Sequence, residues 1–397
     1  MGTKQLTIGM FGFGNVGRGL YDVLNTISSK EANIKRVCVR DLNKDRGVDA
    51  DFFTDNAEDI FNDKDINLIV ELIDDAKAAY HIVKRALTSG FSVVSGNKKM
   101  LAHHLPELIE LQQKHNVALL YDASACGSIP VIRNLEEYYD NDLLVSVKGI
   151  LNGSSNFILS KIFNENYSYD VALRRAQELG FAESDPTLDI GGWDSLFKLI
   201  IITVHAFGCY VSPEKIFTYG ISSMNDNDIR FANEKERRYK LVAHVEKLEN
   251  GKIIMSVMPQ LISREKYIYS VEDEFNGVVI KGKFYDKQFM FGRGAGGHPT
   301  GSAVLSDIMA CFYNYRYEYK RMIGRTPVEY TDDVLVRVYL RYSNAEDRAL
   351  FEFDSIEEQY ISNDYKYVVG HISLANLHKI AAQIRERDIF IAAYPTR

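Results

Sequence analysis

The sequence predicts an α/β chain in three parts: an N-terminal doubly wound parallel sheet, a middle α+β domain, and a small C-terminal unit of βαββαβ order. Three observations predict it. Near-continuous apolar strands alternate with helices through residues 6–122, the pattern of parallel strands covered on both faces. Hairpin signals replace that alternation in residues 241–292. From about Asp333 the chain reads strand, helix-like segment, strand, helix and strand.

LTIGMFG (6–12) is the first apolar strand, and the helix after it carries Val16, Leu20, Val23, Leu24 and Ile27 on one face. KRVCVR (35–40) and INLIVELI (66–73) are the second and third strands. AKAAYHIVKRALTS (76–89) is a helix that Gly90 is placed to end. FSVVS (91–95) and VALLYD (117–122) are further strands, with a helix over His104–Lys114 between them. LVSVKGIL (144–151) is a strand, followed by NGSSN and short helices. YDVALRRAQELG (169–180) is a helix ending at Gly180, and the polar loop FAESDPTLDIGG leads into a long helix from about Trp193. LVAHVEKL (241–248) and KIIMSVMPQLI (252–262) flank Asn250-Gly251, a pair suited to positive φ in a hairpin. NGVVIKGKFYDKQFMFG (276–292) is a second hairpin with Asp286-Lys287 near its turn. RGAGGHPTGSAVLSDIMACFYNY (293–315) is a glycine-rich turn running into an amphipathic helix. VLVRVYLRY (334–342), YKYVVGHI (365–372) and IFIAAY (389–394) are the strands of the tail, and LANLHKIAAQIRER (374–387) is its helix.

A length of 397 residues suits two or three domains, and 46% apolar with 25% charged residues is ordinary globular composition. The net charge of -7 argues against nucleic-acid binding driven by bulk charge. Cys38, Cys126, Cys209 and Cys311 have no CxxC spacing and fall in elements that read as buried, as reduced thiols of a cytosolic protein do. MGTKQLTIGMFGFG opens with a short polar lead into a strand, unlike a secretory signal. The longest apolar run, LIIITVHAFGCY (199–210), is too short to span a bilayer and contains His205. These features predict a cytoplasmic protein with no nucleic-acid or membrane partner.

GFGNVG (12–17) follows the first strand directly and opens the first helix. Gly12 permits the tight turn, Gly14 lets backbone approach a pyrophosphate, and Gly17 lets helix and strand pack closely. The helix start, with Phe13, Asn15 and Val16, presents unpaired N–H groups to the phosphates. This is the fingerprint of a Rossmann-type dinucleotide site. The second strand ends Val39-Arg40-Asp41. An acid there suits the ribose hydroxyl of NAD, an arginine the 2′-phosphate of NADP. Side chains alternate along a strand, so one of the two meets the ribose, and the reading favours Arg40 with NADP over NAD. SGNKKM (95–100) lies just past the fourth strand, at the carboxyl end of the sheet, where a lysine can reach the nicotinamide.

AESDPTLDIGGWDSLFKL (182–199) is the most informative segment. Asp194 and Lys198 stand four apart on one helix face. Alone, such a pair is commonly a surface salt bridge worth under about 1 kcal/mol. Here the helix runs on into LIIITVHAFG, so much of its surface must be buried, and Glu183, Asp185 and Asp189 crowd the loop before it. Acids clustered with a lysine on a buried helix can form a pocket for an amino acid's ammonium group.

GFGNVG, NLIVELI, SGNKKMLA, YDASACGSIPVI, KGILNGSSNFIL, AQELGFAESDPTLDIGGWDSLFKL and GRGAGGHPTGSAVLSDI together resemble homoserine dehydrogenases, in order and approximate spacing, over residues 5–315. The resemblance implies an NAD(P)-dependent enzyme that interconverts L-homoserine and L-aspartate 4-semialdehyde in threonine, methionine and isoleucine biosynthesis. It implies a dinucleotide-binding domain over residues 1–130, completed by 295–318, and a substrate-binding and dimerisation domain over 131–294. Lys98 and Lys198 would flank the reacting carbon, with Asp194 fixing substrate and Lys198. Glu183 would bind the substrate ammonium near Asp189, and Asn152–Asn156, with Asn152 and Ser154, would shape the pocket floor. Gly296 would approach the cofactor a second time. Asp122, with the carbonyls of Ala125, Gly127 and Ile129, would match a monovalent cation site for Na+ or K+ that braces the domain junction. The family implies a homodimer or homotetramer. Residues 330–397 resemble an ACT regulatory domain in strand–helix order, which implies an amino-acid effector. YSNAEDRAL replaces the Pro-Gly turn of that domain, and a structural or dimerising tail is the other reading.

Some positions depart from the family pattern. SGNKK replaces TANKA, so the choice between Lys98 and Lys99 depends on alignment. YDASACGS carries Asp122 for the usual Glu, with Cys126 and Ser128 where glycines are common, and ELIDD lacks the usual glycine pair after Glu71. In aldehyde reduction a nearby ammonium can stabilise the growing oxyanion and donate the proton. Two converging lysines depress each other's pKa. The reading takes Lys198 as donor and Lys98 as its partner, with the two roles exchangeable. Two other readings are another amino-acid or semialdehyde dehydrogenase of similar architecture, of which a cysteine-dependent one would have Cys126 as the only cysteine near a motif, and a non-catalytic NAD(P)-binding amino-acid sensor. Lys98, Glu183, Asp194 and Lys198 together argue against the sensor, which needs no proton donor.

Overall fold

The computed structural model describes residues 5–28 and 31–395, so the polar lead over residues 1–4 lies outside the described residues. The chain clusters into two compact units, Met1–Asp140 with Arg293–Lys320, and Asn141–Gly292 with Arg321–Arg397.

The first unit is built on six strands: β1 (Leu6–Phe11), β2 (Ala32–Cys38), β3 (Phe53–Thr54), β4 (Leu68–Glu71), β5 (Ser92–Ser95) and β6 (Leu119–Leu120). All pair in parallel in the order β3-β2-β1-β4-β5-β6, that of two mononucleotide-binding halves. Ile8, Met10, Leu68, Ile69, Val70, Val93 and Val94 are fully buried, which is why these strands carry no polar alternation. β2 ends two residues earlier than the periodicity suggests. The Val39 amide turns to the Thr54 carbonyl, while the Cys38 carbonyl accepts from Gly12. The helix expected from His104 begins at Lys98 and runs to His115, because the Asn97 side chain caps the Met100 amide. Asp75 caps the helix Ala76–Thr88 in the same way, a role glycine could not fill.

The helices Asn15–Thr26 and Gly297–Phe312 cross in backbone contact. A Cβ on Gly301 would lie 2.5 Å from the Leu20 amide, and one on Gly19 would overlap the Gly297 carbonyl. Gly19→Val is therefore expected to destabilise the protein by about 3 kcal/mol, read as a lower midpoint in urea.

The second unit holds β7 (Leu144–Ile150), β8 (Phe217–Thr218), β9 (Arg237–Lys247), β10 (Ile253–Ser263), β11 (Phe275–Gly282), β12 (Asp286–Arg293), β13 (Leu335–Arg341), β14 (Phe353–Ile361), β15 (Lys366–Ser373) and β16 (Phe390–Ala393). Among the described residues these form one mixed sheet, β12-β11-β7-β9-β10-β16-β13-β15-β14, with β8 beside β10. The β9–β10 hairpin turns through Asn250-Gly251, with Gly251 at φ 84°. Asp286, at φ 53°, begins β12 as the second hairpin closes.

The tail has the expected βαββαβ order, with β14 as a strand the sequence reading did not name. β14 is an edge strand with most side chains in solvent, so its acids give no apolar signal. The order β16-β13-β15-β14 is antiparallel throughout, and β16 touches β10 in parallel at Gln260 and Ala393. Residues 330–397, read as a third domain, thus share their sheet with residues 141–292. The helix Trp193–Phe207 is buried from Asp194 to its end, as its apolar run demands.

Candidate active site

β1 delivers the chain to a turn in which Gly12 takes φ 96°, and the helix starts at Asn15 with Gly14 as its cap. A Cβ on Gly12 would sit 2.6 Å from the Leu72 carbonyl, and one on Gly17 2.6 Å from the Gly12 carbonyl. Nothing lies within 4 Å of where a Gly14 Cβ would be. The turn is thus closed against its own unit and open at Gly14, next to the unpaired first-turn amides. That cradle fits a pyrophosphate. Phe13 turns away to pack on Tyr21, Phe52 and Phe53. The second glycine turn comes alongside: Gly296 has φ 113°, and a Cβ on Gly297 would be 2.8 Å from the Asn15 carbonyl. Arg40 and Asp41 lie past the end of β2 and are exposed. The Asp41 carboxylate accepts from the Asn43 amide at 2.9 Å, so it is already used in a local turn.

Lys98 is half-buried at the first position of its helix, whereas Lys99 is exposed and faces an outer hollow with Asp74, Lys77 and His103. A buried network that sequence reasoning missed holds this turn. The Glu71 carboxylate accepts from Ser95 Oγ at 2.6 Å and from the Ile73 amide at 2.8 Å. Ser95 Oγ accepts from the Asn97 amide at 3.2 Å, and Asn97 Nδ2 donates to the Ile73 carbonyl at 2.9 Å. The available signal was an acid at the end of an apolar strand, NLIVELI, where an exposed position would not be expected.

In the second unit Lys198 and Asp194 form a 2.7 Å ion pair whose side chains are 8% and 7% exposed. Lys198 Nζ also donates to the Leu151 carbonyl at 2.6 Å. Its third hydrogen has no acceptor among the described residues. Asn152 caps the helix Gly153–Glu165 through the Ser155 amide. Its Nδ2 bridges Asp189 at 2.7 Å and Asp194 at 3.0 Å. Burial, then the charge of Asp194, holds the Asp189 carboxyl above its ordinary value. Ser154 Oγ donates to the Phe181 carbonyl. Structure therefore joins Asn152, Asp189, Asp194 and Lys198 into one network. Glu183 stays exposed and outside it, and its carbonyl accepts from Gln177. Asp185 is spent on a local turn with Thr187.

The short helix Asp122–Cys126 and the turn after it, through Ile129, are bound up inside the first unit. Asp122 Oδ1 accepts from the Ile132 amide at 2.7 Å, and its own amide donates to Asp307. Burial, then the charge of Asp307, raises the Asp122 carboxyl well above its ordinary value. Gly127 has φ 55° and meets Gly294, and Ser128 donates to the Arg293 carbonyl. Among the described residues no group of three or more His, Cys, Asp or Glu could hold a metal ion. Cys126 is fully buried, which removes it as a nucleophile for substrate. Among the described residues no helix is long and apolar enough to cross a membrane.

A dinucleotide cradle on a 3-2-1-4-5-6 sheet, together with a buried lysine–carboxylate pair, defines a nicotinamide-dependent oxidoreductase. Residues 12–122 match the family model described as homoserine dehydrogenase, NAD binding domain, and residues 130–309 match the one described as homoserine dehydrogenase. A homoserine dehydrogenase of Lactococcus lactis subsp. lactis is 36% identical over 316 residues, 77% of this chain and 73% of that protein. The crystal structure of a homoserine dehydrogenase from Thiobacillus denitrificans matches 99% of this chain and 98% of its own, with a TM-score of 0.84 at 29% identity. A hyperthermophilic archaeal homoserine dehydrogenase in complex with NADPH matches 79% of this chain and 99% of its own, with a TM-score of 0.67 at 26% identity. The chain belongs to the homoserine dehydrogenase family. It is an NAD(P)-dependent oxidoreductase that interconverts L-homoserine and L-aspartate 4-semialdehyde, a step toward threonine and methionine.

Proposed function

We propose that Lys198 is the proton donor of aldehyde reduction and the acceptor in homoserine oxidation. The observation that carries this is the buried Asp194–Lys198 pair, with two of the three ammonium hydrogens held by Asp194 and the Leu151 carbonyl. The held pair fixes the direction of the remaining N–H, and fixed donors stabilise a growing oxyanion at no reorganisation cost. Asn152 keeps Asp194 and Asp189 from drifting apart, and the exposed Glu183 carboxylate is available to the substrate ammonium. Gly12, Gly14, Asn15, Val16, Gly17 and Gly296 would hold the cofactor, which supplies or takes the hydride, and Lys98 would orient the reacting group. The test is absorbance at 340 nm with homoserine and each of NAD and NADP. No signal with either would overturn the assignment.

NADP is the favoured partner, because Arg40 is exposed at the ribose end while Asp41 is folded onto Asn43. An archaeal relative solved with NADPH supports the same choice. Arg40→Ala is expected to raise the KM for NADPH about tenfold and that for NADH by less than about twofold. A monovalent ion, Na+ or K+, would rest on the carbonyls of Ala125, Gly127 and Ile129, since the Asp122 carboxylate already holds the Ile132 amide. Turnover in KCl against choline chloride at equal ionic strength tests it. The same reading takes the protein as a cytoplasmic homodimer or homotetramer with an amino-acid effector at residues 330–397. Light scattering, and turnover with and without threonine, decide those points.

A further inference from the structure

Glu71 closes a network that the reaction chemistry does not itself require. It sits at the carboxyl end of β4 with no exposure, and Ser95 at the end of β5 is equally buried. Its two oxygens each accept one hydrogen bond, from Ile73 ahead of it on its own loop and from Ser95 on the neighbouring strand. Ser95 passes the connection to the Asn97 amide, and the Asn97 side chain returns it to the Ile73 carbonyl while capping the Met100 amide. The result is a ring of bonds between the loops after β4 and β5, and Lys98 is the next residue along. A buried carboxylate is costly to keep unless it does something an apolar side chain could not. Here it fixes two loop conformations at the sheet edge where dinucleotides bind.

We infer that Glu71 is a positioning residue for the cofactor, acting through Ser95 and Asn97 on the turn that presents Lys98. This rests on the assignment of Lys98 to the nicotinamide end. Burial, opposed by the Ser95 and Ile73 bonds, pushes the Glu71 carboxyl up to about 7, with Asp74 the charged neighbour that adds to the rise. Its folded value is above its unfolded one, so the stability it contributes is complete below the ordinary carboxylate range and is lost as pH rises through about 7.

The experiment compares the wild type, Ser95→Ala, Glu71→Leu and Glu71→Gln by NADPH fluorescence titration and by steady-state kinetics. Ser95→Ala and Glu71→Leu are expected to weaken NADPH binding on the order of tenfold, with the KM for homoserine within about twofold. Glu71→Gln recovers most of the loss, because its amide still accepts from Ile73 and donates to Ser95. It also flattens the fall of Tm between pH 5 and 8 that the wild type shows. In a Lys98→Ala background, Ser95→Ala adds nothing further. Wild-type NADPH affinity in Ser95→Ala, or equal losses for NADPH and homoserine, overturns the inference. A wild-type enzyme that binds NADPH normally while Lys98→Ala has no effect overturns the Lys98 assignment instead.

Discussion

Lys198→Ala is expected to lower kcat by a factor of about 100 or more in both directions while NADPH still binds. The reasoning starts from position: Asp194 and Lys198 are one helical turn apart, and both are buried. Removing the ammonium takes away the proton donor and strips the Asp194 carboxylate of its charged partner while Asn152 still donates to it, so both chemistry and substrate placement suffer. The dinucleotide cradle of the first unit contains no residue of this helix, so cofactor affinity is a clean control. Lys198→Arg should rescue little, because a delocalised guanidinium does not release a proton near neutral pH. Turnover within about tenfold of wild type in Lys198→Ala would move the proton-transfer role to Lys98 or elsewhere.

Arg341→Met is expected to destabilise the protein by about 3–5 kcal/mol, with Tm lower by about 5 °C and no direct effect on the site chemistry. Arg341 lies on β13, 4% exposed at its side chain, and Nε meets the fully buried Asp228 at 3.0 Å. Its other nitrogens reach Asp388 at 2.8 Å and the Ser223 carbonyl at 2.6 Å. Asp228 also accepts from Tyr339 Oη and from the Asn225 amide, closing the cap of the helix Asp226–Glu234. Burial raises the Asp228 carboxyl to about 6 even with the guanidinium opposing it. Without Arg341 that acid is left in a dry site with two neutral donors. Asp228→Asn in the same chain should return part of the loss, since it removes the stranded charge. A wild-type unfolding midpoint in Arg341→Met would show that solvent already reaches the pair.

Local signals were readable and long-range ones were not. The glycine turn was legible because Gly12, Gly14 and Gly17 act within six residues and each has its own steric reason. The Asp194–Lys198 pair was legible because helix spacing alone puts the two on one face. The start of the helix at Lys98 was hidden, since one side-chain cap from Asn97 decided it against the pattern of apolar residues. Glu71 and Ser95 are 24 positions apart and meet only because β4 and β5 pair, and Asp228 and Arg341 are 113 apart and meet only where the helix Asp226–Glu234 packs against β13. For Glu71 the clue was an acid ending an otherwise apolar strand, and for Arg341 a cation on a mostly apolar strand; each marks burial without naming the partner. Glu183 shows the reverse: family pattern singled it out, and its exposed carboxylate has no side-chain bond among the described residues to reveal a role.

The nucleotide unit is assembled from Met1–Asp140 and a return segment, Arg293–Lys320. During synthesis the ribosome must therefore complete the whole intervening stretch before the first sheet receives its last helix. At ordinary elongation rates that delay is on the order of ten seconds or more. Through that interval the glycine face of Asn15–Thr26 and the Asp122 amide await Gly301 and Asp307. The nascent chain holds that face uncovered for the whole interval, and a fragment ending at residue 140 is expected to partition into the pellet on expression instead of behaving as a miniature nucleotide-binding protein.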